Sequence, residues 1–387
     1  MPENDGVPPR RRGPGGPSST HGPGRRACVR RPARAALAGA AAAVAVLSGC
    51  AGSGPGAAPL TLADSYATTH MFARYGVEGF LEDVAAQGPG ETEIDYFPSG
   101  QLGGPRDIAD LTQAGAIDIA PAAPAYLSDQ LPLSSVTDLP GLAEDSCTAS
   151  AAFWDLLDED GILYREEYEP RGLRPLWVAV IPSYEIMTVS TPVRKPADLD
   201  GLTIRSSGGA MDTNVEGLGG APVSMPAADA YEALSRHTVD GISFPYASVT
   251  PYRLEEVLGY STKGLNAGSF AIPYVIAEDA WQQLPAEQQE RIRTAGEQAS
   301  DRLCAGIEEE NPASEQLMRD AGVEFTELTP EEQEEFAARL DPLRAEWADA
   351  MDAAGRPGTE VLTAYESAVQ AHSADADTPA DERSGEK

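Results

Sequence analysis

Residues 191–245 read TPVRKPADLDGLTIRSSGGAMDTNVEGLGGAPVSMPAADAYEALSRHTVDGISFP. Short β-type runs alternate here with small-residue turns and one helix-like segment, the pattern of an α/β chain. Residues 202–204 are apolar or β-branched, with Asp200-Gly201 in front and a Ser/Gly turn at 206–209 behind, and so read as a buried strand. Arg205 stands where that strand gives way to a loop. In open α/β sheets ligands dock beyond the carboxyl ends of strands. A guanidinium offers a planar fork of donors that meets a carboxylate in two parallel hydrogen bonds. On residue type alone Arg205 equally fits a structural ion pair, since charged side chains are mostly solvated or paired.

The phrases PADLDGLTIRSSG, LGGAPVSMPAADAYEAL and TVDGISFP decide between the two. Pro196, Asp198, Leu199, Gly201 and Arg205 are followed by Leu218, Gly219, Ala221, Pro222 and Val223. Tyr231, Ala233, Leu234, Val239, Asp240 and Gly241 then complete the order. This series resembles the solute-binding proteins of TRAP transporters, the DctP family, over most of the chain from Leu60 to about Gly322. The resemblance implies that Arg205 grips a substrate carboxylate, with Ser206 beside it.

The whole chain has 387 residues, enough for a substantial core and about two domains on the usual size prior. Its formal net charge is −33. Eight arginines and only two acids fall in residues 1–49, so the remainder is more acidic still. Such a surface repels nucleic acid and anionic membrane, and attraction of an anionic ligand has to come from local positive groups.

Residues 1–34 are rich in Pro, Gly and Arg and unsuited to folding. Residues 25–34 form a positive n-region and 35–47 an apolar run, and Leu47-Ser48-Gly49-Cys50 resembles a bacterial lipobox. The apolar run falls short of the roughly 20 residues that span a bilayer. We therefore read 1–49 as a lipoprotein signal peptide with an Arg-rich leader, Cys50 as the lipidated residue, and 50–59 as a tether. Arg30-Arg31 hints at twin-arginine export, but the residues that should follow such a pair are missing. Once Cys28 leaves with the leader and Cys50 carries lipid, Cys147 and Cys304 remain. In an exported protein they can pair as a disulfide or stay as two buried thiols.

Beyond the tether, strands at 60–64, 92–97 and 115–119 alternate with helix-like segments at 71–86 and around Ile108 and Leu111, which argues a mainly parallel sheet. The resemblance extends through Phe97-Pro98-Ser99-Gly100-Gln101-Leu102-Gly103. It implies ligand-contacting polar groups in the loop after the first strand, making Ser65, Tyr66 and His70 candidates. A lone histidine there also suits packing or capping. Only His70 and His237 lie outside the two termini, too few for a hydrolase or metal centre. Asp158-Glu159-Asp160-Gly161 fails as a calcium loop because its first ligand position is Leu156. The glycine runs at 208–209 and 217–220 match no phosphate-binding loop.

Residues 173–180 read as the strand that crosses toward a second lobe. Tyr184 then stands where many relatives carry a second ligand-facing arginine, and Ser243 and Phe244 precede Pro245 where many carry a glutamate and an Asn or Trp. The missing glutamate removes a metal ligand used by some members, so no metal and no cofactor are expected. Tyr184 and Phe244 favour a monocarboxylate with an apolar or aromatic body. Further on, Ile292, Ala295, Ala299, Leu303 and Ile307 share one helix face, which Pro312 should end or kink. Thr329-Pro330-Glu331-Glu332 reads as a capping box before the apolar stripe Phe336, Leu340, Leu343, Trp347 and Met351, and the chain after Gln370 reads as disordered.

The expected architecture is α/β: a two-lobed, periplasmic-binding-protein-like clamshell with a central ligand cleft and a long C-terminal helical region. Lobe I takes 60–181 and 271–312, lobe II takes 182–270 and 313–370, and 371–387 form a tail. The resemblance implies a monomer that captures an organic acid at the outer face of the cell membrane and delivers it to TRAP permease subunits. An extracytoplasmic carboxylate sensor would share the same pocket. An enzyme lacks any nucleophile–base pair or metal set in this sequence.

Overall fold

The computed structural model describes residues 59–86 and 92–377. The leader, Cys50, the tether as far as residue 58 and the last residues of the tail lie outside them. In chain order the first lobe takes β1 (Leu60–Ala63), α1 (Glu78–Ala86), β2 (Ile94–Phe97), α2 (Ile108–Gln113), β3 (Ile119–Pro121), α3 (Ser146–Leu157) and β4 (Leu173–Ile181). The chain crosses to a second lobe of β5 (Glu185–Thr188), β6 (Thr203–Ser206), α4 (Ala210–Leu218), β7 (Ala221–Ser224), α5 (Ala230–Ser235), β8 (Gly241–Phe244) and β9 (Tyr260–Lys263). It returns as β10 (Phe270–Ala277) and continues through α6 (Glu278–Gln283), α7 (Ala286–Ala321), β11 (Glu324–Glu327), α8 (Pro330–Ala353) and α9 (Gly358–Asp377).

Among the described residues the strands make two sheets, ordered β2-β1-β3-β10-β4 and β11-β9-β5-β8-β6-β7. The expectation of a mainly parallel sheet needs correcting, because both are mixed. β1 is parallel to β2 and β3, and β6 to β7 and β8. β10 runs antiparallel to β3 and β4, and β5 antiparallel to β8 and β9. Strands joined by helices within a lobe are parallel. A strand that enters straight from the other lobe has no crossover helix to turn it round, and runs the opposite way.

β4 explains its own sequence. Trp177, Ala179 and Ile181 pack with Ile292, Ala295, Ala299 and Leu303 of α7, while Val178 and Val180 pack with Ala149, Ala152 and Phe153 of α3. A strand covered on both faces reads as a continuous apolar run. Cys147 of α3 is disulfide-bonded to Cys304 of α7, fastening these two covers to each other.

The long helix runs through Pro312 to Ala321, so of the expected end or kink there the end is overturned. A proline there forfeits one backbone bond, to the Glu308 carbonyl. Packing on either side outweighs that loss. Leu303 and Ile307 are buried before it, Asn311 Oδ1 accepts the Ala247 N–H at 3.0 Å, and Glu315 pairs with Lys263 at 2.8 Å beyond it. Thr329 and Glu332 exchange the two bonds of the capping box at the start of α8. α8 lies against α4 of the second lobe, and α9 returns to α3 of the first. There Tyr365 meets Phe153 edge-on at 6.5 Å, and His372 Nε2 reaches Asp155 at 2.9 Å. His372 is thus on an ordered helix that continues past Gln370 to Asp377, where composition suggested disorder. No helix among the described residues is long and apolar enough to cross a membrane.

Candidate functional site

The chain passes between the lobes in two extended segments that run side by side. The Tyr184 N–H donates to the Gly268 carbonyl (3.0 Å) and the Ala267 N–H to the Tyr184 carbonyl (2.8 Å). Gly268 adopts a φ of +146°, and a Cβ there would stand 2.8 Å from the Asp138 carbonyl oxygen, so glycine is required. Beside them the buried Glu185 carboxylate accepts the N–H groups of Gly264 (2.8 Å) and Leu265 (3.1 Å) and the Thr262 hydroxyl. Burial pushes its carboxyl up to about 7, against the opposing pull of those hydrogen bonds.

Next to this crossing the lobes leave a narrow space of about 20 Å³. Tyr66, His70, Phe72, Tyr126, Ile181 and Phe270 line it from one side, and Tyr184, Ser207, Ala227, Phe244, Ser248 and Tyr252 from the other. The rings brace one another: Tyr66 meets Phe72 edge-on at 4.7 Å, Tyr126 meets Phe270 at 5.4 Å, and Phe244 meets Tyr184 at 6.2 Å and Tyr252 at 6.1 Å. That volume is far below the roughly 300–1,000 Å³ of ligand pockets, so an occupant the size of an aromatic acid requires the lobes to part. Larger hollows elsewhere, of about 350 Å³ between α4 and α8 and about 330 Å³ around Trp281, border no unpaired buried charge.

Arg205 is held in β6 between Val223 of β7 and Ile242 of β8 and is fully buried. Nε and Nη2 donate to the Met225 carbonyl at 3.0 and 2.7 Å, and Nη2 also to the Tyr126 hydroxyl at 3.3 Å. Nη1 is buried with no hydrogen-bond partner, and no carboxylate among the described residues pairs with the guanidinium. The guanidinium carbon lies 5.4 Å from the Phe244 ring centroid. Arg205 therefore backs directly onto two residues of the cavity wall, with one edge committed to Met225 and one nitrogen free. A buried cation without an anion carries a desolvation cost of several kcal/mol, which an anionic ligand offsets.

Tyr66, His70, Tyr184 and Phe244 border the cavity. Burial raises the Tyr66 and Tyr184 hydroxyls well above the usual tyrosine range and drops the His70 imidazole to about 3, so all three are neutral. Three serine candidates stand elsewhere. The Ser206 hydroxyl is bonded to Asp212, and its neighbour Ser207 takes the place on the wall. Ser243 is buried within β8 one residue before Phe244, which faces the cavity instead. Both reversals follow from the two-residue period of a strand, which sends neighbours to opposite faces. Ser65 is half-buried and off the wall.

Sequence reasoning missed Tyr126, Ser207, Tyr252, Phe72 and Phe270. Tyr126 lies in the turn that follows β3, so the strand-end rule that picked out Arg205 could have found it. Tyr252 sits in a run of short turns after β8 with no local signal. The conserved-looking phrases that carried the resemblance serve mostly the backbone. Asp198 Oδ2 accepts the N–H groups of Arg194 and Lys195, and Asp240 Oδ2 accepts the N–H and hydroxyl of Thr203, both at 2.8 Å, which pins the start of β6. Among the described residues no group of three or more His, Cys, Asp or Glu side chains is placed to hold a metal ion.

Known proteins resemble this chain in sequence and in fold. The model of the family described as bacterial extracellular solute-binding protein, family 7 (DctP), matches residues 65–350. The C4-dicarboxylate-binding periplasmic protein DctP of Rhodobacter capsulatus is 27% identical over 299 residues, covering 76% of this chain and 86% of that protein. The ectoine-binding periplasmic protein TeaA of Halomonas elongata is 23% identical over 318 residues, covering 79% and 92%. Among solved structures, a TRAP solute-binding protein from Rhodoferax ferrireducens with copurified benzoate superposes with a TM-score of 0.76 at 22% identity, covering 82% of this chain and 99% of that one. Another, from Bordetella bronchiseptica with bound (R)- and (S)-mandelate, gives 0.73 at 23% identity, covering 81% and 98%.

Proposed function

We propose, from the premise that the chain belongs to family 7 of the bacterial extracellular solute-binding proteins, that its interlobe cavity captures an organic acid by one carboxylate and an apolar or aromatic body. The chain is a binding protein of TRAP-type transport and not an enzyme. The observation that carries the ligand class is Arg205, a fully buried cation with no carboxylate partner and an unbonded Nη1, set against a wall of rings. A single carboxylate neutralises it. A second carboxylate would find no cation on the wall itself, since the lining residues are uncharged and Arg205 stands behind them. The benzoate and mandelate held by two similar structures are of this kind.

The ligand closes the lobes by bonding to both at once. Arg205 Nη2 already reaches the Tyr126 hydroxyl across the gap, and that hydroxyl also receives the Ala227 N–H at 3.3 Å. Only a ligand with more contacts in the closed form than in the open one shifts the balance between them. The closed form then delivers the acid to TRAP permease subunits. The protein works outside the cytoplasm as a single chain tethered by lipid at Cys50, a residue outside those described. Fatty-acid labelling that persists in Cys50→Ala would refute the anchor.

A thermal-shift screen of residues 51–387 against organic acids tests the ligand class. Stabilisation by aromatic monocarboxylates and not by small dicarboxylates supports it. A response confined to dicarboxylates or to cationic solutes would overturn it.

A further inference from the structure

The hollow of about 350 Å³ between α4 and α8 shares no lining residue with the acid cavity. Its size falls within the range of ligand pockets. Leu139 of the first lobe and Asn214 of α4 supply two of its walls, and Leu343, Glu346, Trp347 and Ala350 of α8 a third. These α8 positions are three and four apart and so share one helix face. Leu343 is packed into the core of the second lobe and Trp347 into that of the first. The hollow therefore sits where α8 passes from one lobe to the other.

Asn214 brings an unsatisfied polar atom to this place. The residue is 1% exposed, and its Nδ2 donates to the Asp138 carbonyl at 2.8 Å and to the Ala267 carbonyl at 3.0 Å. Two carbonyl acceptors fix which end of the amide is nitrogen, so Oδ1 is the acceptor, and it is buried with no hydrogen-bond partner. A buried acceptor without a donor destabilises the fold, and a ligand N–H or O–H relieves that loss.

Charge around the hollow has one sign. Glu346 is exposed at its rim, and Arg344, two positions earlier, pairs at 2.7 Å with Asp341 instead. Among the described residues no lysine, arginine or histidine lines the hollow. The start of α4 borders it too, but does not make it an anion site. The Met211 and Asp212 N–H groups already reach the Gly208 and Gly209 carbonyls at 3.2 and 3.1 Å, and the Asp212 carboxylate stands in the same first turn. Trp347 donates its indole N–H to Ser135 Oγ at 2.9 Å, which leaves its ring as apolar wall beside Leu139 and Leu343.

We propose that this hollow is a second binding site, separate from the acid cavity, that takes a primary organic ammonium ion. Its apolar body lies among Leu139, Leu343 and Trp347, and its N–H groups donate to Asn214 Oδ1 within the negative field of Glu346. An organic anion finds no cation there and meets the Glu346 carboxylate at the rim.

The test is calorimetric titration of the purified protein, at pH 7 and low salt, with 2-phenylethylammonium, its N,N,N-trimethyl derivative and 2-phenylethanol. The primary ammonium should bind at one site per chain. It should bind about fivefold more tightly than the alcohol, which has a donor and no charge, as suits one exposed carboxylate. It should bind about tenfold more tightly than the trimethyl ion, which has the charge and no donor. Glu346→Gln should bring the ammonium and the alcohol within about twofold of each other. Ala350→Trp, at an exposed position on α8, fills the hollow and should abolish binding of both. Arg205→Met, in the other cavity, should leave the ammonium affinity unchanged. No binding of the primary ammonium, equal binding of the three probes, or an ammonium affinity untouched by Ala350→Trp overturns the proposal, and so does its loss in Arg205→Met. The carboxylate reading of the acid cavity stands in each of these cases.

Discussion

Arg205→Met separates the two roles that a buried arginine can have. Methionine keeps a long, flexible, apolar side chain in the same place and removes only the guanidinium. In the unliganded protein the change strands the Met225 carbonyl, which accepts from Nε and Nη2, at a cost of about 1–3 kcal/mol. It also removes a cation buried without an anion, whose desolvation cost is several kcal/mol. These oppose each other, and the unliganded variant should melt no lower than about 2 °C below wild type. Binding responds differently. Truncating one partner of a buried, hydrogen-bonded charge pair costs about 2–5 kcal/mol, or roughly 30-fold to several thousand-fold in Kd. Wild type at a ligand concentration of about 100 Kd gains ~2.7 kcal/mol, a rise on the order of 4 °C for a chain of this length. At that same concentration the variant gains at most ~0.9 kcal/mol, a rise of about 1 °C. Paired melting curves and a titration of the variant read both quantities. An equal ligand-induced rise in the two proteins refutes a binding role for Arg205. A collapse of the unliganded variant shows that the guanidinium holds β6 and Met225 in place.

Three other perturbations follow from particular contacts. The Cys147–Cys304 disulfide closes a loop across 157 positions, so Cys147→Ser/Cys304→Ser should lose about 2–5 kcal/mol in denaturant unfolding, and identical midpoints would contradict this. Asp64 and Glu185 are buried carboxyls, each raised to about 7 by burial above ordinary values of 3.8 and 4.5. Between the ordinary and the raised values the folded state binds more protons than the unfolded one, so their contribution favours folding at low pH and is lost as pH rises through about 7. Glu185→Gln, which still accepts from Gly264 and Leu265, should flatten the fall in stability between pH 5 and 8, and an unaltered profile would show that Glu185 does not titrate there. Arg106 Nη2 donates to Ser224 Oγ at 2.8 Å across the mouth of the cleft, in the open. Arg106→Ala should raise the ligand off-rate by no more than about fivefold, matching an exposed bond of under ~1 kcal/mol, and a hundredfold change in stopped flow would make it a ligand contact.

How much was legible in the sequence depended on how far each interaction reaches along the chain. The capping box at Thr329 and the strand that ends at Arg205 and Ser206 involve residues a few positions apart, where spacing alone sets the contact. Strand periodicity was legible too, yet its phase was not. Ser206 was chosen where Ser207 faces the cavity, and Ser243 was chosen along with Phe244 although only Phe244 faces it, because a one-residue shift in phase exchanges the two faces. Pro312 reads as a helix end by local propensity and is overruled by buried residues on both sides of it.

By itself, then, the sequence determined an α/β chain of this family and the order of its strands and helices, and it singled out Arg205 as the arginine proposed to meet a carboxylate. Those properties rest on hydrophobic period, turn residues and short-range hydrogen bonds, all confined to neighbouring positions. Only the tertiary structure decided that strands entering from the opposite lobe run antiparallel, that α9 docks back on α3, and that Cys147 meets Cys304. It alone brought Tyr126 and Tyr252 to the wall that Tyr66 and His70 share, and left the Arg205 guanidinium without an anion. Each of those facts joins residues far apart in the chain, and which distant groups meet is set by the packing of two lobes rather than by the spacing of residues within either.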